Sequence, residues 1–190
     1  KNGLLVKNRD AFEQARNVRA VLFDKTGTLT AGKFGVTDVV TFSGKVNEDE
    51  LMEYAASVEA RSEHPIARGI AASRRQTLPV EGFKAIPGKG AIGRVNGKEI
   101  TAASPNYLAE KNIVLEDARP EQLALQGKTV IFVLVDGELA GAIGLADTIR
   151  PESTQAIREL KSMGIRCMMI TGDNPQVARW VAGELGLDEY

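Results

Sequence analysis

The residues best suited to covalent chemistry form one short stretch near the start of the chain. In order, they are Asp24, Lys25, Thr26, Gly27, Thr28, Leu29 and Thr30. The mostly apolar run at residues 18–23 is typical of a buried parallel strand, and open α/β sheets bind ligands where such strands end. Asp24 could attack a phosphoryl group there and form an aspartyl-phosphate. A turn in which this aspartate only accepts backbone amides is the structural alternative.

A second polar turn follows another apolar segment late in the chain. Thr171, Gly172 and Asp173 come directly after residues 165–170, which are predicted to form a buried strand. Because parallel strands end at the same sheet edge, we expect this turn to lie close to Asp24. The hydroxyl and amide of Thr171 could then contact a phosphoryl oxygen. Taken alone, the triplet is a weak signal, because ordinary strand-to-turn chemistry explains it equally well.

The overall composition is that of an ordinary globular protein. The chain has 190 residues, of which 43% are hydrophobic and 26% charged, and its net charge is −1. This balance and a pI near 6.0 give no indication of nucleic-acid binding or of attraction to an anionic membrane surface. No run of 18 apolar residues occurs, so no membrane insertion of this chain is expected. Cys167, the single cysteine, lies in an apolar run and is predicted to be a buried structural thiol.

The predicted elements divide the chain into two kinds of structure. Near both ends, strands and helices alternate, as in a doubly wound parallel sheet. The middle has short strands joined by hairpin turns, such as those at residues 96–97 and 136–137, which predicts an antiparallel sheet. We therefore predict one discontinuous α/β domain, residues 1–31 and 141–190, with an inserted α+β domain at residues 32–140.

Three local predictions concern the boundaries of these elements. A helix is expected around residues 10–17. The breaker sequence Ala-Gly-Lys at residues 31–33 predicts a hinge before the inserted domain. A later helix near residues 104–111 is predicted to begin with Ser104 as its N-cap and with proline at its first position.

The stretch from Asp24 to Thr30 resembles the phosphorylation motif of the P-type ATPases, ion pumps of the haloacid-dehalogenase-like superfamily. The triplet that begins at Thr171 is similar to their second phosphate-binding turn. The resemblance implies an incomplete haloacid-dehalogenase-like, Rossmann-type phosphorylation domain with Asp24 as the phosphorylated nucleophile. The catalytic residues that it implies are Asp24, Lys25, Thr26, Thr171, Gly172 and Asp173. It also implies ATP and Mg²⁺, the metal being held by the Asp24 carboxylate and the main-chain carbonyl of Thr26.

The inserted domain carries a second group of residues with a family resemblance. Glu59 and the sequence Ser-Glu-His-Pro at residues 62–65 resemble the nucleotide-binding element of heavy-metal-transporting P-type ATPases. This implies that His64 lies against adenine and that Glu59 lies near the purine amino group. Gly88 and Gly90 resemble the Gly-x-Gly turn of the same domain, where missing side chains let the backbone approach a base or a phosphate. By themselves, a lone histidine and a Gly-x-Gly turn are more often structural.

Two further segments match the family less closely. The stretch from Asp147 to Arg150 resembles the Asp-x-x-Arg element at which the pump chain re-enters the phosphorylation domain. This implies a role in ordering the neighbouring loops, although a plain helix N-terminus explains the stretch almost as well. At residues 103–106, Ala-Ser-Pro-Asn stands where these pumps often have a Gly-Asn pair.

Taken together, the resemblance implies the cytoplasmic ATP-binding and phosphorylation region of a membrane pump that exports heavy-metal cations. Copper or silver is favoured, and zinc or cadmium comes next. Expected partners are ATP, the actuator domain of the same pump, and the transported cation, which would bind in a transmembrane domain outside this chain. The opening Lys1 and the absence of the family's later aspartate motif suggest a fragment. Such a fragment is not expected to turn over ATP efficiently.

Two other functions stay open at this point. One is a free phosphatase of the haloacid-dehalogenase type with a large cap domain. Those enzymes place an acid at the position of Thr26, and a threonine there implies a longer-lived aspartyl-phosphate. The other is a non-catalytic ATP-binding module in which only residues 32–140 act.

Overall fold

The computed structural model describes residues 13, 15–42, 44, 46–172 and 175–190. The helix predicted at residues 10–17 therefore lies mostly outside the described residues, and a short 3₁₀ turn, Ala15–Asn17, is seen at its end. The chain divides into two compact units. The first unit comprises Lys1–Thr30 and Ile149–Tyr190, and the second unit comprises Ala31–Thr148.

The regular elements of the described residues alternate between strands and helices. The strands are β1 (Ala20–Asp24), β2 (Thr30–Thr41), β3 (Glu81–Ile86), β4 (Gly90–Val95), β5 (Lys98–Ala103), β6 (Thr129–Val135), β7 (Glu138–Ile149) and β8 (Arg166–Ile170). The helices are α1 (Glu48–Glu59), α2 (Pro65–Ala72), α3 (Pro105–Glu110), α4 (Arg119–Leu125), α5 (Pro151–Ser162) and α6 (Pro175–Leu185). None of the helices in this described part of the chain is long and apolar enough to span a membrane.

The first unit is built on two parallel strands. β1 pairs with β8, with Ala20 opposite Arg166 and Asp24 opposite Ile170. α6 has its buried residues at spacings of three and four, which places them on one face of the helix. The core of the unit consists of Leu29, Ile157, Cys167, Met169, Ala178, Val181, Ala182 and Leu185. Cys167 is fully buried, which confirms the prediction of a structural thiol.

The second unit is built on a six-stranded sheet in the order β2-β7-β6-β5-β4-β3. Its pairs from β3 to β7 are antiparallel, which confirms the prediction for the inserted part. Successive residues of β6 alternate between two apolar cores, because neighbouring side chains point to opposite faces of a strand. Ile131 and Val133 pack in the core that includes α1 and α2, whereas Val130 and Phe132 pack in the core that includes α3 and α4.

The structure differs from the sequence-based boundaries in two places. The predicted boundary after residue 140 falls inside β7, which pairs with β6 as far as Leu145 and belongs to the second unit up to Thr148. The hairpin turn predicted at residues 136–137 is formed, and the pairing of β7 with β6 that follows from it continues past residue 140 and keeps this segment in the antiparallel sheet. The predicted hinge at residues 31–33 lies within β2, where Gly32 has a φ of 67°.

The predicted N-cap of α3 is confirmed in position, with proline at the first helical position, but the expected side-chain hydrogen bond is not made in the described part of the chain. Ser104 stands at the N-cap position with an extended backbone, at φ −74° and ψ 164°. Its side chain makes no capping hydrogen bond among the described residues. By contrast, Asn47 caps α1 as the local rule expects, its side-chain oxygen accepting from the amide of Glu50 at 2.9 Å.

Candidate functional site

The candidate catalytic carboxylate lies at the carboxyl end of β1. Asp24 is the last residue of that strand and is exposed. Because Asp24 is opposite Ile170 in a parallel pair, Thr171 follows at the same edge of the two strands. The structure therefore brings the two predicted turns to one edge, where Thr171 is partly buried and Gly172 is exposed. Asp173, the remaining member of the predicted catalytic set, lies outside the described residues.

A tight turn, Lys25–Leu29, follows β1. Within it Thr26 is extended, at φ −78° and ψ 123°, and Gly27 has a φ of 78°. A Cβ added at Gly27 would meet no atom within 4 Å, so the left-handed backbone rather than crowding favours glycine. Thr30 closes the turn, its amide and hydroxyl both donating to the carbonyl of Lys25, the hydroxyl at 3.1 Å. We name residues 24–30 the aspartate turn.

The carbonyl oxygens of the aspartate turn are held by the start of α5. The guanidinium of Arg150 donates from Nη2 to the carbonyl of Gly27 and from Nε to that of Thr30, both at 3.1 Å. The backbone amide of Arg150 donates to the carbonyl of Leu29 at 3.0 Å. Arg150 thus fixes three carbonyls of the turn, one through its backbone amide and two through its guanidinium, which presents several donors in a rigid plane.

Ser153, in the first turn of α5, adds a fourth hydrogen bond to the aspartate turn. We name these four hydrogen bonds from Arg150 and Ser153 the brace. Its hydroxyl donates to the carbonyl of Thr28 at 3.4 Å, so the carbonyls of residues 27–30 all accept hydrogen bonds from this segment. The resemblance implied an ordering role for the stretch from Asp147 to Arg150, but it gave no signal for Ser153. Asp147 belongs to the second unit, where its carboxylate accepts from the amide of Lys33 at 3.0 Å.

The aspartate turn also offers oxygen ligands for a divalent cation. The predicted ligands are the Asp24 carboxylate and the Thr26 carbonyl, hard oxygen donors of the kind that Mg²⁺ prefers. The described part of the chain has no group of three or more His, Cys, Asp or Glu side chains that could hold a metal ion. This small donor set fits Mg²⁺, which commonly takes one or two carboxylates and keeps its remaining positions for water and substrate phosphates.

A cavity of about 400 Å³ lies in the second unit, and we name it the second-unit cavity. The four residues that the sequence predicted for nucleotide binding line it together: Glu59, His64, Gly88 and Gly90. Part of the remaining wall is apolar and includes Ile66, Ile86 and Ile131. A partly apolar cavity with a few polar groups is typical of binding sites for small molecules.

Glu59 and His64 reach this cavity from two successive helices. Glu59 is the last residue of α1 and only 5% exposed, and this burial raises the pKa of its carboxyl to about 7. His64 is the N-cap of α2, where its Nδ1 accepts from the amide of Ile66 at 3.3 Å. With Nδ1 as an acceptor, a neutral imidazole carries its proton on Nε2 and can donate from there.

The two glycines of the cavity differ in why a side chain is disfavoured at each position. Gly90 has a φ of 135°, and a Cβ there would lie 1.9 Å from the carbonyl oxygen of Ala102. Gly88 has a φ of 70° but open space around its missing Cβ. Gly90 is therefore needed by the packing of β4 against β5, whereas Gly88 leaves room beside the cavity.

Sequence reasoning missed several polar residues of the cavity. Ser104 and Thr129 line it but resemble ordinary cap and strand residues in the sequence. Lys89, between the two glycines, also lines it and forms an ion pair with Glu110 of α3. The one available signal was the position of Lys89 inside the Gly-x-Gly turn.

Comparison with known proteins defines the class of this chain. The family described as haloacid dehalogenase-like hydrolase matches residues 18–190. The chain therefore belongs to the haloacid dehalogenase-like hydrolases, and the predicted fold class is confirmed. Within this class its relatives are P-type ATPases, as the sequence motifs predicted.

Three relatives illustrate this similarity. The copper-exporting P-type ATPase B of Archaeoglobus fulgidus is 55% identical over 194 residues, which cover 100% of this chain and 28% of that protein. The manganese-exporting P-type ATPase of Mycobacterium bovis is 39% identical over 198 residues, again 100% of this chain and 28% of that protein. A crystal structure of a zinc-transporting PIB-type ATPase in the E2.Pi state has a TM-score of 0.83 and 34% identity, covering 100% of this chain and 31% of that one. The chain thus spans less than a third of the length of these relatives.

Proposed function

We propose that this chain is the ATP-binding and phosphorylated region of a P-type ATPase that exports a heavy-metal cation, with Asp24 receiving the γ-phosphate. One observation carries the proposal, namely the parallel register that sets Asp24 opposite Ile170. It supports a site in which an exposed carboxylate and the hydroxyl and amide of Thr171 meet the same phosphoryl group. Relatives that export copper or manganese, or transport zinc, support the same assignment.

Asp24 acts as the nucleophile. A carboxylate oxygen attacks the γ-phosphorus in line, and the new O–P bond forms while the bond to the β–γ bridging oxygen breaks. ADP leaves with that electron pair. When bound by Asp24 and the Thr26 carbonyl, Mg²⁺ neutralises the charge of the phosphate oxygens. The hydrogen bonds from Arg150 and Ser153 hold the backbone of the aspartate turn, so the carboxylate keeps its position during attack.

Thr26 favours a pump over a phosphatase. It stands two residues after Asp24, and a threonine hydroxyl cannot serve as the general acid or base that hydrolysis of the acyl phosphate requires. The aspartyl-phosphate therefore persists until another part of the protein removes it. We assign that step to the actuator domain of the full-length pump, on the cytoplasmic side of the membrane.

The second-unit cavity takes the base of ATP. Its apolar wall accommodates a flat ring, the His64 imidazole lies against that ring, and a carboxyl oxygen of Glu59 accepts a hydrogen bond from the exocyclic amine. At Gly88 the missing side chain lets the backbone approach the nucleotide closely. Binding of the base here holds ATP while its γ-phosphate reacts at Asp24.

The transported cation belongs to a transmembrane domain outside this chain, and we propose copper as that cation. The 55% identity to a copper exporter supports copper over manganese or zinc, which are the ions of relatives at 39% and 34% identity. Transport assays of the full-length protein in inside-out vesicles, with each ion supplied in the outer medium together with ATP, test this choice. Uptake stimulated by Cu⁺ alone is expected, and stimulation by Mn²⁺ or Zn²⁺ alone would replace copper in the proposal.

Phosphate labelling of the full-length protein tests the phosphorylation step. With γ-labelled ATP and Mg²⁺, we expect an acid-stable label that hydroxylamine removes, as for an acyl phosphate. Asp24→Asn should abolish this label, because an amide cannot act as the nucleophile. Asp49→Asn, at an exposed position of α1, is the control and should be labelled like the wild type.

Each other outcome points to a different function. A label that persists in Asp24→Asn would contradict the proposal. ATP binding without any label in the wild type would favour the non-catalytic module. Rapid hydrolysis of small phosphate esters, dependent on Asp24, would favour the free phosphatase.

A further inference from the structure

Gly69 is an unexpected residue in α2, because it lies in the interior of this eight-residue helix. Glycine is among the poorest helix formers, since it loses the most backbone freedom when its conformation is fixed. The backbone of Gly69 is helical and not left-handed, so its conformation does not require glycine. The glycine at this position therefore needs another physical reason.

The reason is the close approach of α2 to β2. Gly69 is buried, and a Cβ there would lie 2.5 Å from the carbonyl oxygen of Phe34 and 3.0 Å from its carbonyl carbon. These are backbone atoms of a strand, which cannot turn aside as the end of a flexible side chain can. α2 also packs against α1, with Ile70 fully buried in the core that includes both helices. The position of α2 is thus set by β2 and α1, and Gly69 sets its distance from β2.

His64 is fixed to α2 through two groups. Its Nδ1 accepts from the amide of Ile66 at 3.3 Å, and its carbonyl accepts from the amide of Arg68 at 3.0 Å. Ile66 and Ala67, in the first turn of the same helix, also line the second-unit cavity. A displacement of α2 would therefore move the imidazole and this part of the cavity wall together.

We propose that Gly69 is a positioning residue for His64. By leaving room for the backbone of β2, it lets α2 lie at the depth that brings the His64 imidazole against the base of ATP. Gly69 does not belong to the residues that line the cavity, so it acts through the helix and not by touching the nucleotide. The inference rests on the proposed nucleotide site, in which His64 lies against the base.

The substitution Gly69→Ala tests this role. The new Cβ should push α2 away from β2, because the backbone of Phe34 cannot make room for it. Calorimetric titration of the 190-residue chain with ATP should give about three- to tenfold weaker binding, a loss of the size that an aromatic contact contributes. The urea midpoint should also fall, as expected for an overpacked core.

A double-mutant cycle with His64→Asn separates positioning from a general loss of packing. Asparagine keeps an acceptor for the N-terminus of α2 and removes the imidazole. Because no ring remains to be displaced, Gly69→Ala should change the ATP affinity of the His64→Asn variant by less than about twofold. An equal loss of affinity in both backgrounds would overturn the proposal, and so would unchanged affinity in Gly69→Ala.

Gly141→Ala is the matched control. A Cβ at Gly141, in β7, would lie 2.3 Å from the carbonyl oxygen of Val40, so this substitution also overpacks the backbone of β2. Gly141 is neither in α2 nor among the residues that line the cavity. The urea midpoint should fall as in Gly69→Ala, but ATP affinity should stay within about twofold of the wild type. A loss of affinity equal to that of Gly69→Ala would contradict a positioning role.

Ile70→Val provides a second test in case Gly69→Ala alone fails to fold. Removing a methyl group where α2 packs against α1 gives the displaced helix room, so the double variant should fold. Its ATP affinity should be about three- to tenfold below that of Ile70→Val alone, and equal affinity would overturn the proposal. If His64→Asn alone binds ATP like the wild type, the proposed nucleotide role of His64 fails instead, so the two failures are distinguishable.

Discussion

The aspartate turn and the second-unit cavity differ in the hydrogen bonding and burial of their polar groups. In the turn, every backbone carbonyl from residue 27 to residue 30 accepts a hydrogen bond from the start of α5, while Asp24 itself is exposed. In the cavity, the Glu59 carboxyl is buried and its pKa is raised to about 7. The Ser104 hydroxyl is also buried and has no hydrogen-bond partner among the described residues.

This difference indicates how each region works. The turn holds its backbone by hydrogen bonds and leaves the reactive Asp24 carboxylate exposed, so changes nearby should alter the rate of phosphoryl transfer. The cavity keeps polar groups in a poorly solvated space, where a ligand can satisfy them. Changes there should alter nucleotide affinity, stability and their dependence on pH.

The largest expected effect separates the two glycines of the cavity. Gly90→Ala should lower the free energy of unfolding by about 3 kcal/mol or more, because the new Cβ cannot fit. The clash would be with the Ala102 carbonyl, 1.9 Å away. Gly88→Ala should cost only about 1–2 kcal/mol, the strain of a left-handed alanine. Urea denaturation of both variants measures the difference.

The same pair of variants checks the assignment of the cavity. Gly88→Ala should remain folded and bind ATP less tightly, because its methyl group occupies open space beside the cavity. Equal destabilisation by the two substitutions would contradict the claim that only Gly90 is required for packing. Full ATP affinity in Gly88→Ala would contradict the claim that Gly88 lies beside the bound nucleotide.

A pH effect of similar size should come from Glu59. Its pKa is raised from 4.5 to about 7 in the folded chain, so between these values the folded state keeps a proton that the unfolded chain has released. The stability that this neutral carboxyl contributes is fully present below about pH 4.5 and lost as the pH rises to about 7, in total about 3 kcal/mol.

Urea denaturation of the wild type and of Glu59→Gln at several pH values tests this linkage. The wild type should lose stability relative to Glu59→Gln as the pH rises, because glutamine does not ionise. Glu53→Gln, at an exposed position of the same helix, should follow the wild type. A constant difference between wild type and Glu59→Gln across this range would show that the carboxyl is ionised normally in the folded chain.

Loss of the brace is expected to have a smaller but specific effect, on the activation free energy of phosphoryl transfer. Arg150→Ala should slow phosphorylation of Asp24 in the full-length protein by about 10- to 100-fold, because the turn loses the donors that position it. Affinity for ATP should stay within about twofold of the wild type, since Arg150 lies outside the cavity. Rapid-quench labelling gives the rate, and titration gives the affinity.

Two further variants sharpen this test. Arg150→Lys should recover the rate only in part, because a lysine ammonium cannot reproduce the planar Nε and Nη2 donors. Arg158→Ala, at an exposed position of α5, should leave the rate unchanged. A similar rate in Arg150→Ala and the wild type would mean that the turn holds its geometry without the brace.

The sequence was most informative where one local rule decides the outcome. The rule that parallel strands end at one edge predicted that the Asp24 and Thr171 turns lie together. The resemblance of Glu59 and His64 to the family's nucleotide-binding element predicted that the two lie in one site, and both line the cavity.

It was least informative where distant residues decide. The hairpin turn predicted at residues 136–137 is formed, but the domain boundary predicted after residue 140 falls inside β7, because the pairing of β7 with β6 continues to Leu145. Arg150 meets carbonyls about 120 residues earlier in the chain, and no local pattern encodes that contact. Ser104 follows the capping rule in position, but its side chain makes no capping hydrogen bond among the described residues.

The central claim is that ATP phosphorylates Asp24, and locating the phosphate tests it most directly. The full-length protein would be incubated with ATP and Mg²⁺, quenched in acid, digested, and its phosphopeptides sequenced by mass spectrometry. We predict a hydroxylamine-labile phosphate on Asp24, in the peptide that spans the aspartate turn. A hydroxylamine-resistant phosphate on a serine or threonine, with Asp24 unmodified, would contradict the proposal.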